Sequence, residues 1–194
     1  MRAALLLSLL FVSACTEKPV SLPPHDAQAD ALLAHVTGDA WDTVWAHAGS
    51  LGEAYRQPGG EPLGALPPNP LPAFLSDEPP YLDAAAREQY ATRVLGDTTV
   101  AGQTARLVEA RFVPDSRRTQ AIRLVRAAVS DTTLLWIHVE RESESVLYDE
   151  RSRLRAGIAR AGGALVPGHA EIQTATDVPA SPPRDLETRW ERAR

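Results

Sequence analysis

Three arginines alternate along one short stretch, at 151, 153 and 155. If that stretch is a strand, its period of two puts all three on one face. Such a row suits anionic lipid headgroups or an acidic partner. It also suits a solvated strand face paired with glutamates opposite. Glu140, Glu142 and Glu144, with Arg141 among them, read as a solvated hairpin end. A carboxylate pair for acid–base work needs burial to shift a pKa, and nothing in this pattern calls for it. The five histidines, 25, 35, 47, 138 and 169, lack metal-ligand spacing, and His35 and His47 converge only through tertiary structure. His169-Ala170-Glu171 lacks the second histidine of a zinc-protease helix. Ser143 near His138 is a turn residue, not the start of a triad. No G-x-S-x-G and no Walker-type glycine loop is present. The expectation is a chain that is not an enzyme, with no cofactor and no metal.

The one cysteine carries the chemistry that stands out. Residues 1–15 read MRAALLLSLLFVSAC. Arg2 gives a positive start, and Ala3 to Val12 form an apolar run broken only by Ser8. That run is shorter than the ~20 residues a spanning helix needs. It matches the h-region of a secretory signal. Val12-Ser13-Ala14-Cys15 then resembles the bacterial lipobox, which is cut before a cysteine that receives a diacylglycerol. The resemblance implies a signal peptide over residues 1–14 and a lipoprotein beginning at acylated, palmitate-bearing Cys15. The mature chain would have 180 residues and a net charge of −6, since Arg2 is the one charge removed. More than one acyl chain is needed for stable anchoring, because a single chain holds only marginally. Without another cysteine the fold relies on its core even in an oxidising compartment. Thr16, in place of aspartate, leans toward the outer membrane, facing the periplasm.

The full chain has 194 residues, 44% hydrophobic and 23% charged, an ordinary globular composition for one domain. Twenty basic against 25 acidic residues give a net charge of −5, which argues against a nucleic-acid partner. Lys18 is the only lysine.

Residues 15–25 hold the lipidated cysteine and a proline-containing tether. Residues 26–177 read as a single α+β domain, and 178–194 as a C-terminal tail. Asp26 is the expected N-cap of helical structure over 26–55, either two helices or one kinked near Gly38-Asp39. Trp41 and Trp45 share a helix face, as core contact with a sheet or as an aromatic patch for a partner or lipid. Residues 56–80 contain eight prolines, which excludes a regular helix or a central strand. Leu63, Leu66, Leu71, Phe74 and Leu75 lie among them, so the segment should pack along the sheet. A helical turn or two follows at 81–89.

Strand patterns begin at Tyr90. Gly96-Asp97 reads as a turn and Ala101-Gly102 as a bend or bulge. Gln103 to Val113 places Val108, Ala110 and Phe112 on one face and Leu107, Glu109 and Arg111 on the other. Pro114-Asp115-Ser116 ends it. Ala121 to Val129 follows. Next comes Thr132 to Glu140, with Leu135, Ile137 and Val139 opposite Leu134, Trp136 and His138. A polar turn at 142–145 leads to a strand from Val146 to Leu154, then a short one within 165–175. Leu186 and Trp190 are spaced for a short terminal helix. Short polar turns between strands predict an antiparallel meander.

Tyr90-x-x-x-Val94, Val100-Ala101-Gly102-Gln103, Pro114-Asp115, Leu135-Trp136-Ile137 and the strand to Arg153 occur in that order. The order resembles the periplasmic lipoprotein-carrier superfamily and its sigma-E regulatory relatives, over about residues 90–158. The resemblance implies an α+β fold: a curved antiparallel sheet, a half-open barrel, covered by N-terminal helices. It implies a concave face that takes up acyl chains of lipid or lipoprotein, in a carrier, an acceptor or an envelope-stress sensor. Here that lining would draw on Val108, Ala110, Phe112, Leu135, Ile137 and Val139, with Trp41 and Trp45. The lipid-anchored outer-membrane acceptor of that pathway is the nearest type. His138 stands where the family carries aspartate. Two other readings remain open. One is a scaffold lipoprotein with a filled core, meeting an envelope protein through 56–80. The other is an envelope hydrolase. A core plugged by Leu63, Leu66, Phe74 and the tryptophans separates the scaffold from the acyl carrier.

Overall fold

The computed structural model describes residues 23–51, 54–75, 88–113, 120–144, 147–179 and 181–193. Cys15, most of the tether, residues 81–87 and Pro114-Asp115-Ser116 lie outside them. The elements are α1 (Ala27–Leu33), α2 (Asp42–Leu51), β1 (Tyr55–Arg56) and α3 (Leu71–Leu75). Then come β2 (Tyr90–Val100), β3 (Gln103–Phe112), β4 (Gln120–Ser130) and β5 (Thr133–Glu144). β6 (Asp149–Ala161), β7 (Ala164–Asp177) and β8 (Arg184–Arg192) complete the chain. All eight strands form one curved, unclosed antiparallel sheet in the order β1-β8-β7-β6-β5-β4-β3-β2.

The meander is as expected, but several boundaries differ. Gly96-Asp97 is not a turn. It belongs to β2, where a bulge falls between Val94 and Gly96, and Gly96 sits at φ 140°. The turn is Ala101-Gly102, with φ of 50° and 75°. Two successive positive φ values match the twist of a two-residue hairpin, which explains the swap. The expected polar turn at 142–145 does not begin where it was placed, because β5 runs through Glu144. β7 has 14 residues rather than a short stretch. The C-terminal segment is a strand, not a helix. β8 pairs with β7 over Arg184–Glu191 and with β1 at Glu191 and Arg192, so it belongs to the sheet, not to a separate tail. Inside the Pro-rich stretch, α3 is one short helical turn, with Pro72 in its first turn, where no intrahelical N–H bond is lost.

Register sorts the side chains into two faces. Ala110, Val125, Val139, Leu154 and Ile172 are cross-strand partners on one. So are Val108, Ala127, Ile137, Ala156, Ala170 and Trp190. The expected pattern of β3 and of Ile137 and Val139 holds. At Leu134 and Leu135 strict alternation fails. A bulge opposite Ala128 and Val129 leaves both leucines buried.

The core cluster joins this apolar face to Leu33 and Val36, Trp41 and Trp45, and Leu71, Phe74 and Leu75. Asp26 caps α1 as expected, its Oδ1 accepting from Gln28 N at 2.9 Å and Ala29 N at 3.2 Å. Helical structure over 26–55 is indeed two helices. Trp41 is fully buried, and its Nε1–H donates to Leu134 O at 2.7 Å. Its ring stacks on Trp45 at 5.4 Å and 14°. Trp45 meets Trp190 edge-on at 6.2 Å, and Trp190 meets Tyr55 edge-on at 5.4 Å. Trp45 Nε1–H donates to Pro67 O at 2.9 Å. The paired tryptophans are therefore core, not an exposed patch. Trp41→Ala should lower unfolding free energy by about 3–5 kcal/mol, read as a lower urea midpoint at unchanged slope. A loss under about 1 kcal/mol would mean the ring is not packed as described.

Candidate binding surface

The other face is charged. Along one cross-strand row the partners are Arg93, Glu109, Arg126, His138, Arg155, Glu171 and Arg189. The adjacent row runs Arg111, Leu124, Glu140, Arg153, Gln173 and Glu187. A third holds Glu142, Arg151, Ala175 and Asp185. Opposite charges directly across a sheet attract, so each row supports its register.

Glu109 is the centre of the first row. It is 2% exposed, in the middle of β3. Arg93 reaches its Oε1 with Nε at 3.0 Å and Nη2 at 2.8 Å. Arg126 Nε donates to Oε2 at 2.7 Å, and Arg111 Nη2 stands 3.7 Å from the same oxygen. Burial pushes this carboxyl's pKa up. The hydrogen bonds and charges of Arg126 and Arg93 outweigh burial and hold it below the ordinary 4.5. The sequence places Glu109 beside Arg111 on one face. It does not reveal the burial, because Arg93 and Arg126 arrive only through strand register.

His138, two strands along the same row, is also buried, with Nδ1 3.2 Å from Leu154 O and Nε2 3.1 Å from Glu140 Oε1. Trp136 stacks on its ring at 6.4 Å. Gly157 is needed next to this pair. A Cβ there would stand 2.8 Å from His169 Cε1 and 3.1 Å from Trp136 Cδ1. Desolvation and then Arg189 lower the His169 pKa, against the opposing pull of Glu171 and Glu191.

Two cavities open among these groups. The larger, about 610 Å³, is lined by Glu140, Glu142, Arg151, Arg153, Gln173 and Asp185 among others. The smaller, about 350 Å³, is lined by His169, Glu171, Arg189 and Glu191 among others. Arg151 and Arg153 thus meet at the larger cavity. Arg151 Nε lies 3.7 Å from Glu142 Oε1, and Arg153 Nε lies 3.7 Å from Glu140 Oε1. This is the glutamate-paired arrangement named above. Arg155 lies in the neighbouring row, between His138 and Glu171. No cluster of three His, Cys, Asp or Glu side chains suited to a metal occurs among the described residues.

The residues expected to line an acyl site lie elsewhere. Val108, Ala110, Leu135, Ile137, Val139 and Trp41 are fully buried, and Trp45 nearly so. Phe112 is half-buried on the apolar face, edge-on to Tyr90 at 5.4 Å and under Arg123 at 5.2 Å. Neither cavity is lined by any of these residues.

No family model matches the chain, and neither a curated protein nor a solved structure matches it. The likeness to the lipoprotein-carrier superfamily therefore rests on the residues quoted for it.

Glu109→Gln should destabilise the fold by about 1–3 kcal/mol at pH 7, by leaving charged donors without their carboxylate. A depressed native pKa stabilises above the unfolded value of about 4.5 and ceases to do so as pH falls through the native value. The gap between wild type and variant, followed in urea titrations, should therefore narrow below pH 4.5. A gap unchanged down to full protonation would refute the charge-based account.

Proposed function

We propose that the chain is a non-enzymatic, lipid-anchored protein of a bacterial cell envelope. In this reading Cys15 holds it on a membrane, the outer one facing the periplasm, and the charged sheet face binds an envelope protein. The single observation that carries the partner-binding reading is the contrast between the two faces. The apolar one is filled by the chain's own Trp41, Trp45, Leu71, Phe74 and Leu75. Among the described residues the charged one is left open, and the 610 Å³ cavity is lined mostly by its rows. The half-barrel reading fits the same picture, with α1 packed against β2, β3 and β4 and α2 against β7.

This choice revises two expectations. The Pro-rich stretch was to meet the partner, yet Leu71, Phe74 and Leu75 are core and Pro67 O is bound by Trp45. Contact through the charged rows is the better-supported surface. The acyl-carrier reading requires α1, α2 and residues 54–75 to move off the apolar face before a chain could enter.

Two measurements test the proposal. Palmitate label and membrane sedimentation should both be lost in Cys15→Ser; label retained by that variant would defeat the anchor assignment. Native mass spectrometry of the secreted Cys15→Ser chain, incubated with phospholipid, should give a clean apo mass. A reproducible lipid-mass adduct that disappears in Phe112→Asp would replace partner binding with acyl carriage.

A further inference from the structure

The two edges of the sheet are finished differently. At the β2 edge, Thr92 N–H donates to Pro24 O at 3.0 Å, and Asp26 N–H donates to Thr92 Oγ1 at 3.0 Å. The bulge between Val94 and Gly96 then bends the same strand. A covered start and a bulge are standard defences against edge-to-edge pairing. At the other edge β1 has only two residues, paired with Glu191 and Arg192. Among the described residues no strand pairs with β8 on that side from Arg184 to Trp190.

The direction of the backbone there follows from the ladder. Ala193 N–H donates to Ala54 O at 2.9 Å, toward the β1 side. The β7–β8 register is unbroken. Main-chain groups alternate sides along a strand, so Asp185, Glu187 and Arg189 present their N–H and C=O to the open edge. Side chains alternate as well. Asp185 and Glu187 stand on the charged face, beside Glu171 and the larger cavity. Leu186 stands on the opposite face and is 68% exposed.

We propose that the β8 edge from Arg184 to Arg189 receives an extended segment of a partner protein by strand addition. The segment carries basic residues alternating with apolar ones. The inference rests on the partner-binding reading and names its mode and chemistry. Added strands gain affinity from main-chain bonds and specificity from alternate side chains. Basic groups meet Asp185 and Glu187 on one face, and apolar groups cover Leu186 on the other. A second copy of this chain fits less well. The antiparallel register that pairs Asp185 with Arg189 of the copy sets Glu187 against its own equivalent.

The test uses the full acylated chain in detergent and a blocked peptide of alternating lysine and valine, as long as the open edge. The comparison peptide alternates glutamate and valine. The lysine peptide should slow amide exchange at Asp185, Glu187 and Arg189 at least about tenfold, and the glutamate peptide should not. Glu187→Pro removes an edge donor while leaving the β7 ladder intact, and should abolish binding without moving the thermal transition. Asp185→Lys with Glu187→Lys should reverse the peptide preference, which guards against a proline variant that fails to fold. No protection, equal protection by both peptides, or these amides already protected in a dimer would overturn the proposal. A partner cross-linked through Arg153 with β8 amides unprotected would sink the edge and leave partner binding standing. A lipid adduct in native mass spectrometry would sink partner binding instead.

Discussion

Tyr55–Arg56 and Tyr90–Val100 are successive strands in the chain, yet they form opposite edges of the sheet. With strands spaced ~4.8 Å, the width to be crossed is about 34 Å. The chain between them cannot be a hairpin and has to travel over a face. Its described part does so on the apolar side, where Leu63 and Leu66 pack on the core and Leu71, Phe74 and Leu75 enter it. Prolines suit this task. They hold the backbone extended, and they remove N–H donors that a path over a finished sheet could not pair. Asn69 fixes the crossing locally: its Oδ1 accepts from Leu71 N at 3.1 Å and its Nδ2 donates to Asp42 Oδ1 at 2.8 Å. The crossing thus ties α2 to α3, and Trp45 ties α2 to Pro67.

Once the apolar face is occupied by its own chain, the other face must be polar, and most of its charges belong to rows. Burying Glu109 alone would be costly, since a desolvated carboxylate has no favourable state. Three arginines from three strands surround it, and Arg93 and Arg126 bond it directly. Because those arginines come from β2, β3 and β4, the carboxylate also pins the register of three strands, which a one-residue slip would destroy. Charge is unevenly spread along the rows. Arg93, Arg126, Arg153 and Arg155 lie on β2 to β6, while Glu171, Asp185, Glu187 and Glu191 lie on β7 and β8. With Glu109, Glu140 and Glu142 in the first group and Arg189 in the second, the face is basic on balance over β2 to β6 and acidic over β7 and β8, a field that reaches a Debye length of roughly 8–10 Å.

β3 to β5 were legible because β-branched and apolar residues alternate there with charged ones, as in QTARLVEARF, whereas β2 was read as two pieces parted at Gly96-Asp97. β6 and β7 were read too short, because their small residues, among them Ala156, Gly157, Ala159 and Ala161, carry little strand signal. β8 was read as a helix because Leu186 and Trp190 fit a period near four as well as a period of two. Only pairing with β7 and contact with Tyr55 decide it, and both are tertiary. The glycines were misassigned for a local reason. Gly96 and Gly102 both take positive φ, but one serves a bulge and the other a hairpin, and sequence alone does not separate them. The candidate surface was half visible. Arg151, Arg153 and Arg155 follow from period two, whereas the burial of Glu109 depends on which strands become neighbours.

The position of the N-terminal segment gives the two edges different surroundings. Pro24 and Asp26 lie against β2, so the first described residues sit at that edge. β8 is separated from β2 by five strands. In the proposed anchoring the β2 edge, whose start is bonded to Pro24 and Asp26, would be the nearer to the membrane and the β8 edge the farther. The acidic character of Asp185 and Glu187 acts in the same sense. On the proposed membrane an anionic lipid surface would repel that edge and turn it outward, toward a partner of opposite charge.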